Sequence, residues 1–71
     1  MPNPKDIGER LKALRGDKSR EDVAKACDIS VSALGMYENG FRVPRDEIKI
    51  RLAAYYHRSV GYIFYAKESH E

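Results

Sequence analysis

The chain has 71 residues, a formal net charge of +2 and two histidines. This length allows one small domain, spanning residues 1–71, whose stability depends on a compact core or a partner subunit. The single Cys27 excludes an internal disulfide and the usual zinc ligand sets, and a lone thiol fits a reducing cytoplasm. Since no apolar run approaches a membrane span, we expect a cytoplasmic domain that uses no membrane, metal or cofactor.

The first half of the chain predicts two helices. Asn3 and Pro4 are a typical N-cap and first-turn pair, and apolar residues at helical spacing then continue towards Arg15. Ser19 resembles the first residue of a capping box and predicts a second helix at about 20–27. The two helices are separated by only a few polar residues.

The second half predicts three more helices. Ser30 caps a third helix, about 30–39, and Pro44 opens a fourth. Ser59 caps a short fifth helix rich in aromatic residues, and a polar tail begins at about residue 66. No stretch alternates strictly enough to indicate a sheet. The sequence therefore predicts an all-α fold of five short helices.

The second and third helices, about 20–39, are joined by a turn of three or four residues, which is the geometry of a helix-turn-helix. Further sequence pieces make this pattern more specific, because they occur in a fixed order at regular spacing. They are Ile7-Gly8-Glu9-Arg10-Leu11 with Leu14-Arg15, Val23-Ala24, Ile29-Ser30, Tyr37-Glu38-Asn39-Gly40 followed by Pro44, Leu52-Ala53, and Ser59-Val60 with Ile63-Phe64.

On these pieces the chain resembles the Cro/cI-type helix-turn-helix family, also called the Xre family of bacterial and phage regulators. The resemblance covers about residues 5–65 and implies a five-helix, lambda-repressor-like DNA-binding domain. The chain departs from the family pattern in a shorter link between the first two helices. It also has Asp28 and His57 where the family often has glycine, but both residue types accept a left-handed backbone.

The resemblance implies that the exposed side of the third helix contacts bases in the major groove. Val31 and Met36 would touch thymine methyl groups, although packing against neighbouring side chains is an alternative for both. Ser32 would form a hydrogen bond with a base, and Gly35 would let the helix backbone lie close to the DNA. This helix has no Arg or Gln, so methyl contacts, DNA shape or another segment must supply much of the specificity.

The resemblance also implies phosphate contacts at both ends of the third helix. For Arg20, a base contact is an open alternative, and for Arg20 and Arg42 so is a solvated side chain. A structural ion pair between Arg15 and Glu38 is expected to hold the third helix at its angle. The predicted phosphate-contacting residues are Arg20, Ser30, Asn39, Gly40 and Arg42.

The aromatic C-terminal stretch is expected to form a homodimer interface through Tyr62, Phe64 and Tyr65. A two-fold dimer would place two recognition helices about 34 Å apart and would read a pseudo-palindromic operator. The alternative is that these aromatic side chains complete the core of the monomer.

Together these expectations favour a transcriptional regulator that binds double-stranded DNA, most simply a repressor. An enzyme with a small-molecule substrate is not expected, because the sequence shows no nucleophile–base pair and no glycine-rich phosphate loop. Two alternatives stay open. One is an antitoxin-like or other protein-interaction module that uses the aromatic C-terminal face, and the other is an interaction domain that has lost DNA binding.

Overall fold

The computed structural model describes residues 3–66, which form five helices and no strand. The predicted all-α fold is therefore confirmed, while the polar tail lies outside the described residues from position 67 onwards. Within the described part, no helix has the length and apolar character needed to cross a membrane. The helices are α1 (Pro4–Arg15), α2 (Arg20–Cys27), α3 (Val31–Glu38), α4 (Asp46–Tyr56) and a C-terminal π-helix (Gly61–Tyr65).

Side-chain caps explain why the first three helices begin where they were predicted to begin. The side-chain oxygens of Asn3, Ser19 and Ser30 each accept a hydrogen bond from the backbone N–H three residues later, at 2.8, 3.0 and 2.9 Å. Ser59 Oγ accepts in the same way from the N–H of Tyr62, at 3.0 Å. These bonds satisfy N–H groups that have no partner inside the helix.

The predicted start of the fourth helix was wrong by two residues. Pro44 is buried in the connection before the helix, and α4 begins at Asp46 with Arg45 as its N-cap residue. Arg45 has an extended backbone, with φ −68° and ψ 164°. Proline suits this extended connection as well as a helical first turn, because its fixed φ is compatible with both. The acidic Asp46 and Glu47 then occupy the first turn, where the helix dipole favours them.

Two non-glycine residues end helices in the left-handed conformation, as the sequence suggested. Asp28 after α2 and His57 after α4 both have a φ of 58°. The N–H of the following residue bonds back to the helix in each case, from Ile29 to the carbonyl of Ala24 at 2.9 Å and from Arg58 to Ala53 at 3.1 Å. This arrangement satisfies carbonyls at the helix end and turns the chain sharply.

All five helices contribute to one apolar core. The prediction that Phe64 belongs to a dimer interface is wrong, because its side chain is 0% exposed and fills this core together with Ile63. Burying so large a ring offsets part of the instability of a small domain. The buried apolar residues are Ile7, Leu11, Val23, Ala24, Cys27, Leu34, Tyr37, Ile48, Leu52, Ala53, Tyr56, Ile63 and Phe64.

The angle of α3 is fixed by a close approach between helix backbones. A Cβ built on Gly8 in α1 would lie 2.8 Å from the carbonyl carbon of Glu38 and 2.8 Å from the carbonyl oxygen of Tyr37. Only glycine permits α1 to lie this close to the C-terminal end of α3. The shared contact sets the direction in which α3 presents its exposed side.

Arg10 anchors the C-terminal π-helix to α1. Its Nη1 donates to the backbone carbonyls of Tyr62 at 3.1 Å and Ile63 at 3.0 Å. The guanidinium of Arg10 also lies 5.9 Å from the centroid of the Tyr62 ring. These contacts hold the segment that carries Phe64 and Ile63 over the core.

Candidate nucleic-acid interface

The helix pair α2 and α3 is joined by residues 28–30, so the turn has the length that the motif requires. Leu34, Tyr37 and Glu38 point inward from α3 and are buried. The opposite side of α3 is therefore turned towards solvent. In a helix-turn-helix, this second helix is the one that enters the groove.

The predicted base-contacting residues share this outward side of α3. Val31 is 41% exposed and Met36 is 38% exposed, which is more than core packing allows. Ser32 is exposed, and Gly35 is half-buried on the same side at helical spacing. We call Val31, Ser32, Gly35 and Met36 the recognition face.

A buried carboxylate beneath this face joins three helices. The side chain of Glu38 is 0% exposed, and it accepts from Arg15 Nε at 2.8 Å and Arg15 Nη2 at 3.1 Å. The Arg15–Glu38 pair expected from the sequence is thus present. Its third member, Arg20, was not expected and donates through Nε to Glu38 Oε1 at 2.9 Å. A buried charge needs such compensation, because unpaired it would cost several kcal/mol.

Glu38 and the burial around it raise the pKa values of two neighbouring side chains. Its hydrogen bonds raise the pKa of Arg15. Burial, and then the charge of Glu38, raise the pKa of Tyr56, whose hydroxyl has no hydrogen-bond partner among the described residues. The first effect keeps Arg15 charged beside the carboxylate, and the second keeps the Tyr56 hydroxyl protonated.

Gly35 lies beside Arg20. A Cβ built at position 35 would lie 3.6 Å from Arg20 Nη1 and 3.9 Å from its Cζ. The guanidinium of Arg20 therefore rests against the part of α3 where Gly35 provides no side chain.

The other predicted phosphate contacts lie at the two ends of α3. Ser30 is at the N-terminal end, where its hydroxyl already caps the helix. Asn39 and Arg42 are exposed beyond the C-terminal end. Gly40 has a φ of 78°, and a Cβ there would lie 3.0 Å from Lys5 Cα, so glycine is required by the turn itself.

The sequence did not predict the surroundings of two residues near these surfaces. Phe41, in the loop after α3, is 77% exposed, and nothing in its sequence neighbours separates it from a core phenylalanine. Lys49 in α4 is buried, and its Nζ donates to Tyr65 Oη at 2.7 Å.

Of the predicted dimer-interface residues, Tyr62 and Tyr65 keep 48% and 45% of their surfaces exposed, unlike Phe64 between them.

Among residues 3–66 there is no ligand-sized pocket and no group of three metal-ligating side chains. The described surface offers exposed features for binding instead: the recognition face, the loop after α3 and the exposed tyrosines. An exposed helix with basic neighbours suits a groove of a larger partner.

A family model described as a helix-turn-helix domain matches residues 6–61, which is well over half of the chain. The match includes α2, the turn and α3, and it extends into the C-terminal π-helix. No curated protein matches the chain.

Proposed function

The chain belongs to the helix-turn-helix domain family, and we propose that it is a sequence-specific transcriptional regulator of the Cro/cI (Xre) type. The family indicates a regulator that binds DNA, and the observation that carries the finer proposal is the recognition face. This face is exposed, yet it is fixed to the core through Glu38 and the contact at Gly8. A rigid helix with an open side is what major-groove binding requires.

In this proposal α3 lies in the major groove of double-stranded DNA. Val31 and Met36 contact thymine methyl groups, and Ser32 forms a hydrogen bond with a base edge. Phosphates lie at both ends of α3, against Ser30 and the α2 N-terminus on one side and against residues 39–42 on the other. These phosphate contacts orient the domain while the recognition face reads sequence.

We further propose that the protein acts as a homodimeric repressor on a pseudo-palindromic operator. Tyr62 and Tyr65, both about half exposed, support an interface on the C-terminal π-helix. Exposed aromatic side chains of this kind are enriched at protein interfaces. A bound dimer would block a promoter without any further chemistry.

A second candidate function is an antitoxin-like or protein-interaction module, with DNA binding secondary. The aromatic C-terminal face supports it, because Tyr62 and Tyr65 are 48% and 45% exposed there and aromatic side chains are enriched at protein interfaces. This alternative differs from the first in the forces involved. An apolar protein interface responds weakly to salt, whereas binding to phosphates responds steeply.

A salt titration tests the DNA-binding proposal. The affinity of the protein for a labelled duplex is measured by fluorescence anisotropy at several salt concentrations. We expect affinity to fall steeply with salt, and Arg42→Ala to reduce the log–log slope by about 1, because one phosphate contact is lost.

Lys12→Ala is the matched control, since it removes the same charge from an exposed side chain on α1, outside the proposed DNA and dimer surfaces. It should leave the slope nearly unchanged. Binding that ignores salt, or equal effects of the two variants, would argue against the proposed orientation on DNA.

A further inference from the structure

We propose that Arg20 reads a guanine in the major groove, and that Glu38 and Gly35 hold its side chain in place for this contact. The inference deepens the proposed function and rests on it. It also answers a question that the sequence leaves open, which is how a recognition helix without Arg or Gln identifies a base pair.

The two arginines on Glu38 use their donors differently. Arg15 is committed to the fold, with Nε and Nη2 on Glu38 and Nη1 donating to the carbonyl of Lys18 at 2.8 Å. Arg20 forms one side-chain hydrogen bond among the described residues, through Nε to Glu38. Both of its Nη groups therefore remain for a partner outside the domain.

The guanidinium of Arg20 lies beside the recognition face. Its Nη1 and Cζ lie against Gly35, at 3.6 and 3.9 Å from where a Cβ would be. Gly35 is one turn from Val31 and next to Met36, and both of these side chains are exposed. The guanidinium thus occupies the side of α3 that faces the groove, although the residue belongs to α2.

The charge of Arg20 is not cancelled by its contact with Glu38. Arg15 already forms a two-bond pair with this carboxylate, and the side chain of Arg15 is 20% exposed against 35% for Arg20. The three residues together carry a net charge of one positive unit at neutral pH. The more accessible guanidinium is therefore attracted to DNA while its Nε contact limits its rotation.

Guanine is the base that this geometry fits. Its major-groove edge has two acceptors, O6 and N7, and two Nη groups of one guanidinium can donate to both. A side chain already held at Nε loses less conformational entropy when it forms such a contact. A phosphate contact by the same side chain would use the charge but would carry no base preference.

The test uses a duplex that the wild-type protein has selected from random DNA. Replacing one guanine of the half-site with 7-deazaguanine removes only the N7 acceptor. We expect one guanine position at which this change lowers wild-type affinity, while Arg20→Ala binds the two duplexes equally. Across all four bases at that position, Arg20→Ala should lose a preference of roughly 5- to 150-fold.

Lys25→Ala is the control, because Lys25 is an exposed cation on the same helix. It should keep the full guanine preference. Arg20→Ala is expected to fold, since Glu38 retains both hydrogen bonds from Arg15. The experiment with modified DNA and wild-type protein does not depend on that variant.

Three results would overturn the assignment. One is that no 7-deazaguanine position weakens wild-type binding. Another is that Arg20→Ala weakens binding to all sequences equally and lowers the salt slope by about 1, which identifies a phosphate contact. The third is that the wild-type protein selects no DNA sequence, in which case the proposed function itself fails and the guanine contact with it.

Discussion

At the scale of single residues, two buried polar groups near the junction of α1, α3 and α4 have opposite surroundings. The Glu38 carboxylate accepts three hydrogen bonds from arginines, whereas the Tyr56 hydroxyl is buried with no partner among the described residues. Leaving a buried hydroxyl unpaired costs about 1–3 kcal/mol of desolvation. The ring of Tyr56 still contributes to the core.

We expect Tyr56→Phe to leave the free energy of unfolding unchanged or to raise it by about 1 kcal/mol, because it removes only the unpaired hydroxyl. Urea unfolding at neutral pH measures this. Since burial raises the pKa of Tyr56, the unfolded chain ionises first as the pH rises above about 10, and the native state loses stability there. The variant should lose less stability over that alkaline range.

Tyr55→Phe is the comparison, because Tyr55 is only half-buried and its ring packs edge-on against Tyr56 at 5.1 Å. Removing the Tyr55 hydroxyl should change the free energy of unfolding little. A loss of more than about 1 kcal/mol in Tyr56→Phe would mean that the hydroxyl has a partner in solution.

Residue-level contacts were the least predictable part of the molecule. The Arg15–Glu38 pair was expected from the family resemblance, but the third member, Arg20, was not. The unpaired hydroxyl of Tyr56 was not predicted, and the burial of Phe64 was only the alternative to the expected dimer interface. These contacts join helices that are distant in sequence, and helical periodicity specifies only which side of one helix turns inward.

At the scale of helices, the most consequential contact is that between α1 and α3. Gly8 allows the two backbones to touch at the C-terminal end of α3. The atoms that a Cβ would meet belong to the backbone of Tyr37 and Glu38, so no side chain can rotate away. The orientation of the recognition face depends on this contact.

We therefore expect Gly8→Ala to lower the free energy of unfolding by about 2 kcal/mol or more, as overpacking against a backbone does. Gly35→Ala is the matched substitution, since a Cβ there meets only ordinary contacts with Arg20. It should raise stability by up to about 1 kcal/mol through helix propensity. Thermal and urea unfolding of both variants provide the comparison.

Both positions lie inside helices, so propensity favours alanine equally at each and cannot separate the two. Similar stability for the two variants would show that α1 and α3 are not in close backbone contact in solution. The fixed angle of α3 would then require a different physical cause.

Helix boundaries were predictable wherever a local capping interaction sets them. Asn3, Ser19 and Ser30 form the expected caps because the interaction spans only three residues. The predicted start of α4 at Pro44 was wrong, because a proline fits an extended connection as well as a first turn. The π-helical form of Gly61–Tyr65 has no simple local signal, since it depends on packing Ile63 and Phe64 over the core.

At the scale of the whole molecule, the fold and family were accessible from the sequence because many short pieces agree in order and spacing. The recognition face, whose outward direction depends on α1 packing against α3, remains a proposed DNA site. The proposed dimer interface is smaller than the sequence predicted. With Phe64 in the core, only Tyr62 and Tyr65 of the predicted three residues remain exposed on the π-helix.

The most direct test of the central claim is selection of bound duplexes from a random DNA library at about physiological salt. Ser32→Arg adds a base-reading side chain to the recognition face, and Ala54→Arg adds the same charge at an exposed position of α4. We expect wild-type protein to enrich an inverted repeat with half-site centres about 10 bp apart, as a two-fold dimer requires. Ser32→Arg should change the selected bases, and Ala54→Arg should not.

Failure of folded wild-type protein to enrich any sequence would contradict the claim that α3 reads DNA. Enrichment that Ser32→Arg leaves unaltered would contradict the placement of the recognition face in the groove.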